Sequence, residues 1–125
     1  MNIFLFGNPD LSIDNTPLAL KPGLEKRFPD IRFIALDPHE VDEPPENPWA
    51  LIDTVAGLDR VRLLAIEDIA RPEARLTAHD FDLATTLLFF RKLDSDFRAH
   101  IIGIPMGVSA PDVLEDVSIA IRDLS

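Results

Sequence analysis

Ile3-Phe4-Leu5-Phe6, stopped by Gly7-Asn8-Pro9, is the stretch that decides the fold. A short run with no polar member suits a strand covered on both faces, because a half-solvated strand alternates. Such a strand needs one layer above it and one below. Three further apolar runs follow, at Ile31–Leu36, Val61–Ile66 and Ala99–Ile104. Amphipathic stretches separate them. Thr16–Phe28 is helix-like, with Pro22-Gly23 expected to kink it or delay its start. Asn47 as N-cap, Pro48 in the first helical position and Gly57 at the exit frame a second helix. Leu51, Ile52, Val55 and Leu58 keep helical spacing inside it. Asp80 or Thr77 caps a third helix that reaches about Leu93. Ser109 caps a fourth, with Asp112 at the capping-box position and Val113, Val117, Ala120, Ile121 and Leu124 as its buried stripe. The order βαβαβαβα predicts an α/β fold with one domain over residues 1–125. That fold is a three-layer α/β/α sandwich with a mostly parallel sheet of about four strands in the order 2-1-3-4, phosphorylase/hydrolase-like.

Composition narrows the chemistry. The 125 residues carry 22 acids and 12 Lys plus Arg, a formal charge of −10. Nucleic acid is excluded as an expected partner, since phosphate contacts need clustered Lys and Arg. There is no cysteine, so thiolate nucleophiles, disulfides and cysteine-based metal sites are excluded. No apolar run approaches the roughly 20 residues of a membrane span. The start, Met1-Asn2-Ile3-Phe4, lacks a basic signal-peptide region. The expected location is cytoplasmic. Asp37–Asn47, with five acids and three prolines, is the most solvated stretch.

Ligands of such sheets bind outside the carboxyl ends of the strands, where the strand order reverses. Two expected strand ends carry acids there: Asp14 in the loop after Phe6, and Glu67-Asp68 after Ile66. His79 stands at the mouth of the third helix. Two carboxylates and an imidazole suit a borderline divalent ion such as nickel or zinc. Singly, each has an ordinary account: Asp14 as a helix cap, Glu67 as a surface acid, His79 as a local packing group. His39 beside Asp37 borders the same edge or is simply solvated. His100 reads as a sheet-face residue and Trp49 as a core anchor. GxGxxG, GK[ST] and GxSxG are absent, which excludes the familiar phosphate loops and the nucleophile elbow.

Read together, these segments resemble the hydrogenase maturation endopeptidases. Ile3–Pro9 with Asp14, Ile34-Ala35-Leu36-Asp37, Leu63-Leu64-Ala65-Ile66-Glu67, Thr77-Ala78-His79-Asp80-Phe81-Asp82-Leu83 and Ile101-Ile102-Gly103-Ile104-Pro105 carry the likeness, over roughly residues 1–107. The resemblance implies the same sandwich fold. It also implies a nickel-dependent cut that removes the C-terminal extension of a nickel–iron hydrogenase large-subunit precursor. Nickel then comes bound in the precursor or as a cofactor of the protein. Asp14, Glu67 and His79 are implied as metal-binding and catalytic residues, with Asp68 as an alternative to Glu67. Asn8, Asp37, His39 and Asp68 are implied to face the substrate. No membrane insertion is implied.

The sequence departs from the family pattern at named positions. Ile13 stands where the family has the first of two adjacent acids. Pro38-His39-Glu40 replaces a glycine-rich turn, Met106 replaces a glutamate, and eleven residues separate Glu67 from His79 where a longer excursion is usual. These departures motivate a second reading, a non-catalytic relative that binds or assembles a metalloenzyme subunit. A third is a flavodoxin-like small-molecule binder at the same switch point.

Overall fold

Strand β1 (Asn2–Phe6) lies in the interior of the sheet, with Ile3, Leu5 and Phe6 almost wholly excluded from solvent. The structure is a computed structural model and describes residues 1–6, 16–37, 40–70, 77–78 and 81–124. After β1 come α1 (Thr16–Arg27), β2 (Arg32–Leu36), β3 (Trp49–Ala56), β4 (Arg62–Leu64), α2 (Ile66–Ala70) and β5 (Thr77–Ala78). Then follow α3 (Phe81–Leu93), β6 (Ala99–Ile104) and α4 (Ala110–Leu124). The sheet runs β2-β1-β3-β6-β4, with β5 paired to β3. β2, β1, β3 and β6 are mutually parallel, whereas β4 and β5 pair antiparallel. No helix among the described residues is long and apolar enough to cross a membrane.

The alternation of side chains across the strands divides the core in two. One face collects Phe4, Phe6, Trp49, Leu51, Val55 and Ile101 with Leu83, Leu87 and Phe90 of α3. The other collects Ile3, Leu5, Ile52, Ile102 and Ile104 with Leu20 and Leu24 of α1 and Val113, Val117 and Ile121 of α4. These are the three layers expected. The parallel order 2-1-3-4 also stands when the four parallel strands are counted alone, and β4 extends it at one edge.

Two segments differ from expectation. Residues 49–56 are a strand, not a helix. The helical spacing of Leu51, Ile52 and Val55 is real, yet all seven residues from Trp49 to Val55 are buried. That pattern belongs to a central strand covered on both sides, and a helix would leave one side wet. Asn47 therefore caps no helix. Its side chain accepts from the backbone N–H of Arg98 at 3.0 Å and donates to the Asp96 carbonyl at 3.4 Å. These bonds set the start of β3 beside the start of β6. Gly57, at φ 95°, makes the exit from the strand with a backbone that only glycine adopts readily.

Residues 61–66 are the other correction. They form no parallel strand. Arg62–Leu64 is a short antiparallel edge strand with Arg62 and Leu63 exposed, and Ile66 already begins α2. The charge of Arg62 is typical of a guarded edge.

The helices otherwise match. α1 continues through Pro22. A Cβ on Gly23 would stand 3.0 Å from Leu114 Cδ2 of α4, so glycine lets the two helices approach. Ser109 and Asp112 meet at the start of α4 as their spacing predicts, but through bonds other than those of a capping box: the Ser109 hydroxyl donates to Asp112 Oδ2 at 2.8 Å, and Asp112 N–H donates to the Ser109 carbonyl at 3.2 Å.

Candidate functional site at the carboxyl edge

β1, β2 and β6 end at Phe6, Leu36 and Ile104, level with Asp53 and Thr54 of β3, and β3 projects beyond them to Ala56. Chain order supplies the polar groups of this edge. Thr16 opens α1, and its hydroxyl donates to the Val108 carbonyl at 2.9 Å, tying α1 to the segment that follows β6. β5 pairs Ala78 with Val55 and Thr77 with Ala56, so α3 also starts at this edge. The amino ends of α1, α3 and α4 all lie here.

Asp53 is the principal residue of this edge. It lies on β3 opposite Gly103 of β6. Its residue is 5% exposed, a rare state for an aspartate. Alternation places it on the face of Trp49, Leu51 and Val55, the face that α3 covers. Thr54 beside it is 2% exposed and points to the opposite face. A carboxyl buried this far on a central strand is poorly solvated. When ionised, such a group attracts a cation more strongly than a surface acid does.

The sequence reading missed Asp53. It took residues 49–56 for a helix, so an acid of the third parallel strand was sought at Glu67. A signal was present, since Asp53 and Thr54 are the only side chains with polar heads between Ala50 and Ala56.

The other expected residues divide three ways. Glu67 does not reach this edge. β4 runs antiparallel to β6, with Arg62 beside Gly103 and Leu64 beside Ile101. The chain beyond Leu64 therefore heads for the amino edge of the parallel strands. There Glu67 forms an ion pair with Arg91 near the end of α3. Asp68 is on the same side and caps α2: its Oδ2 accepts from Ala65 N–H at 2.8 Å, and its own N–H donates to the Ala65 carbonyl at 3.1 Å. Asp37 does lie at the carboxyl edge. It is exposed, directly follows β2, and its carbonyl accepts from Glu40 N–H at 3.0 Å. Asn8, Asp14, His39 and His79 lie outside the described residues. Among the described residues no three His, Asp or Glu side chains form a cluster able to hold a metal ion. Asp53 is the described residue whose chemistry fits one, as a buried oxygen donor.

The fold and this edge define a class: a doubly covered, mostly parallel α/β sandwich with an acid on its central strand. Among solved structures the chain is similar to the [NiFe] hydrogenase maturation protease HybD from Thermococcus kodakarensis, with a TM-score of 0.68 and 15% sequence identity. The similarity covers 98% of this chain and 97% of that one. No protein-family model and no curated protein matches the chain in sequence.

Proposed function

We propose that the protein is a hydrogenase maturation endopeptidase. Its substrate is the nickel-loaded precursor of a nickel–iron hydrogenase large subunit, from which it removes the C-terminal extension. The observation that carries this reading is Asp53, a buried carboxylate at the carboxyl edge of a fold shared end to end with such a protease. Asp53 takes the place that the family pattern gives to the acid of the third strand. The proposed metal-facing set is Asp14, Asp53 and His79. Phe6 and Thr16, which bracket residues 7–15, both stand at the same edge, as do Ala78 and Phe81 on either side of His79.

Within this reading the chain has three tasks. Asp53 offers a fixed carboxylate oxygen from the floor, where low solvation strengthens its hold on a cation. Asp14 and His79 add an oxygen and a nitrogen donor, a set suited to nickel or zinc. Asp37, with Asn8 and His39, faces the substrate chain and orients it. Asp14, Asp53 and His79 would hold nickel at this edge, where it would supply Lewis-acid polarisation of the scissile carbonyl or of a water molecule. A cytoplasmic location belongs to the same proposal.

The test is a processing assay with the nickel-loaded precursor, read as the mass lost from its C-terminus. Cleavage by the native chain is expected. Asp53→Asn should lower the rate by roughly 100-fold or more, since loss of a supporting partner alone costs about 10–100-fold at metal sites. Glu67→Gln should process at the native rate, because Glu67 stands at the opposite edge. No cleavage by a folded native chain overturns the reading. One departure favours a second reading: Ile13 stands where the family has an acid. A subunit-binding module would capture the precursor and leave its mass unchanged.

A further inference from the structure

The two edges of the sheet are unlike. β4, at one edge, is three residues long and carries Arg62. β2, at the other, is five residues long, Arg32-Phe33-Ile34-Ala35-Leu36, with its one charge at its amino end. Among the described residues β2 has a single strand neighbour, β1. Its outer row of N–H and C=O groups is therefore a template for one more strand. Nothing inside β2 prevents such pairing: it has no proline, no inward charge and no bulge. A groove of about 630 Å³ runs along this edge between β2 and α1, lined by Lys21, Glu25, Pro29, Arg32, Phe33 and Ala35.

We infer that the β2 edge binds the C-terminal extension of the substrate as an added antiparallel strand. The inference rests on the proposed endopeptidase function. The direction follows from where the cut is made. β2 ends at the carboxyl edge two strands from β3 and Asp53, so a strand added outside β2 lies three spacings from β3, about 14 Å. A chain leaving the cut can cross that distance in about four to five residues. It then descends β2 from Leu36 toward Arg32, opposite to the direction of β2. Antiparallel pairing is the more stable ladder. An extension that ends level with the start of β2 brings its terminal carboxylate to Arg32. Lys21 in the same groove is engaged by Glu25 at 3.6 Å, and Asp30 is the other acid of the groove. Arg32 is thus the cation that meets the incoming carboxylate. A second copy of this chain is a poorer occupant, because each copy carries a charge of −10.

The test uses the full chain and a synthetic peptide of the extension, from the nickel–iron large-subunit precursor encoded in the same genome, spanning the cut. Backbone N-methylation is moved along the peptide one residue at a time. An added strand bonds its neighbour at alternate residues. Methylation should therefore weaken binding by about tenfold at every second position and little at those between, the scale of one net hydrogen bond. Amide exchange in β2 should slow at alternate residues on peptide binding. Amidating the peptide's C-terminus should weaken binding to the native chain several-fold and leave binding to Arg32→Gln unchanged. Precursor cleavage without the alternating pattern overturns the docking site and leaves the endopeptidase reading standing. Neither cleavage nor peptide binding overturns both. Slowed β2 exchange in the protein alone, rising with its concentration and with a doubled mass, assigns the edge to a second copy and overturns the inference.

Discussion

Asp53 and Gly103 face each other across β3 and β6, and each depends on what surrounds it. A Cβ on Gly103 would stand 2.7 Å from Leu58 Cδ1, 3.0 Å from Leu64 Cδ1 and 3.2 Å from Val55 Cγ2. Three side chains would have to yield together, on the face where Asp53 sits. Gly103→Ala is expected to destabilise the protein by about 1–3 kcal/mol, the usual cost of overpacking. A urea titration checks this, with the midpoint falling at constant slope. Gly23 is a milder case. Its added Cβ would meet only the tip of Leu114, which can turn away.

At the scale of elements, caps and strands carry different amounts of information. The Ser109–Asp112 pair at the start of α4 was legible because it is local: two residue types at fixed spacing, ahead of an apolar stripe. Ser109→Ala should cost about 1 kcal/mol, seen as a lower Tm with little change in the site. The third parallel strand was not legible from spacing. Leu51, Ile52 and Val55 fit a helix face, and a short buried run fits either element. What decided the matter is non-local: β1 on one side and β6 on the other cover the run completely. Residues 61–66 failed for the converse reason. Their apolar centre resembles a buried strand, yet Arg60 and Arg62 suit an edge. The candidate site inherited this error. Placing the central strand twelve residues late put the expected acid at Glu67, which lies at the opposite edge of the sheet, and passed over Asp53. The three layers and the parallel order survived, because they depend on the number of alternations more than on which run fills each place.

Across the whole molecule, the layer of α1 and α4 is closed by charge. Arg27 of α1 pairs with Glu115 of α4, and Arg27 Nη1 also donates to the Ser118 hydroxyl at 3.3 Å. The hydrogen bond and charge of Arg27 hold the Glu115 carboxyl below its ordinary pKa, with a smaller contribution from Arg122. A lowered carboxyl pKa stabilises the folded state above the ordinary glutamate range. That contribution disappears as pH falls through the lowered value. Native protein and Glu115→Gln should therefore differ in Tm at neutral pH and converge in acid. The difference is expected to be small and to shrink with added salt, because the pair is exposed.

Trp49 gives the molecule an optical use. It is the chain's one tryptophan, fully buried, with ring centroids 5.6 Å from Phe6 and 6.4 Å from Phe90. Its emission should be blue-shifted in the folded protein and move to the red on unfolding. Because Trp49 packs against Phe6 and against Phe90 of α3, that shift reads the docking of α3 on the sheet without a label.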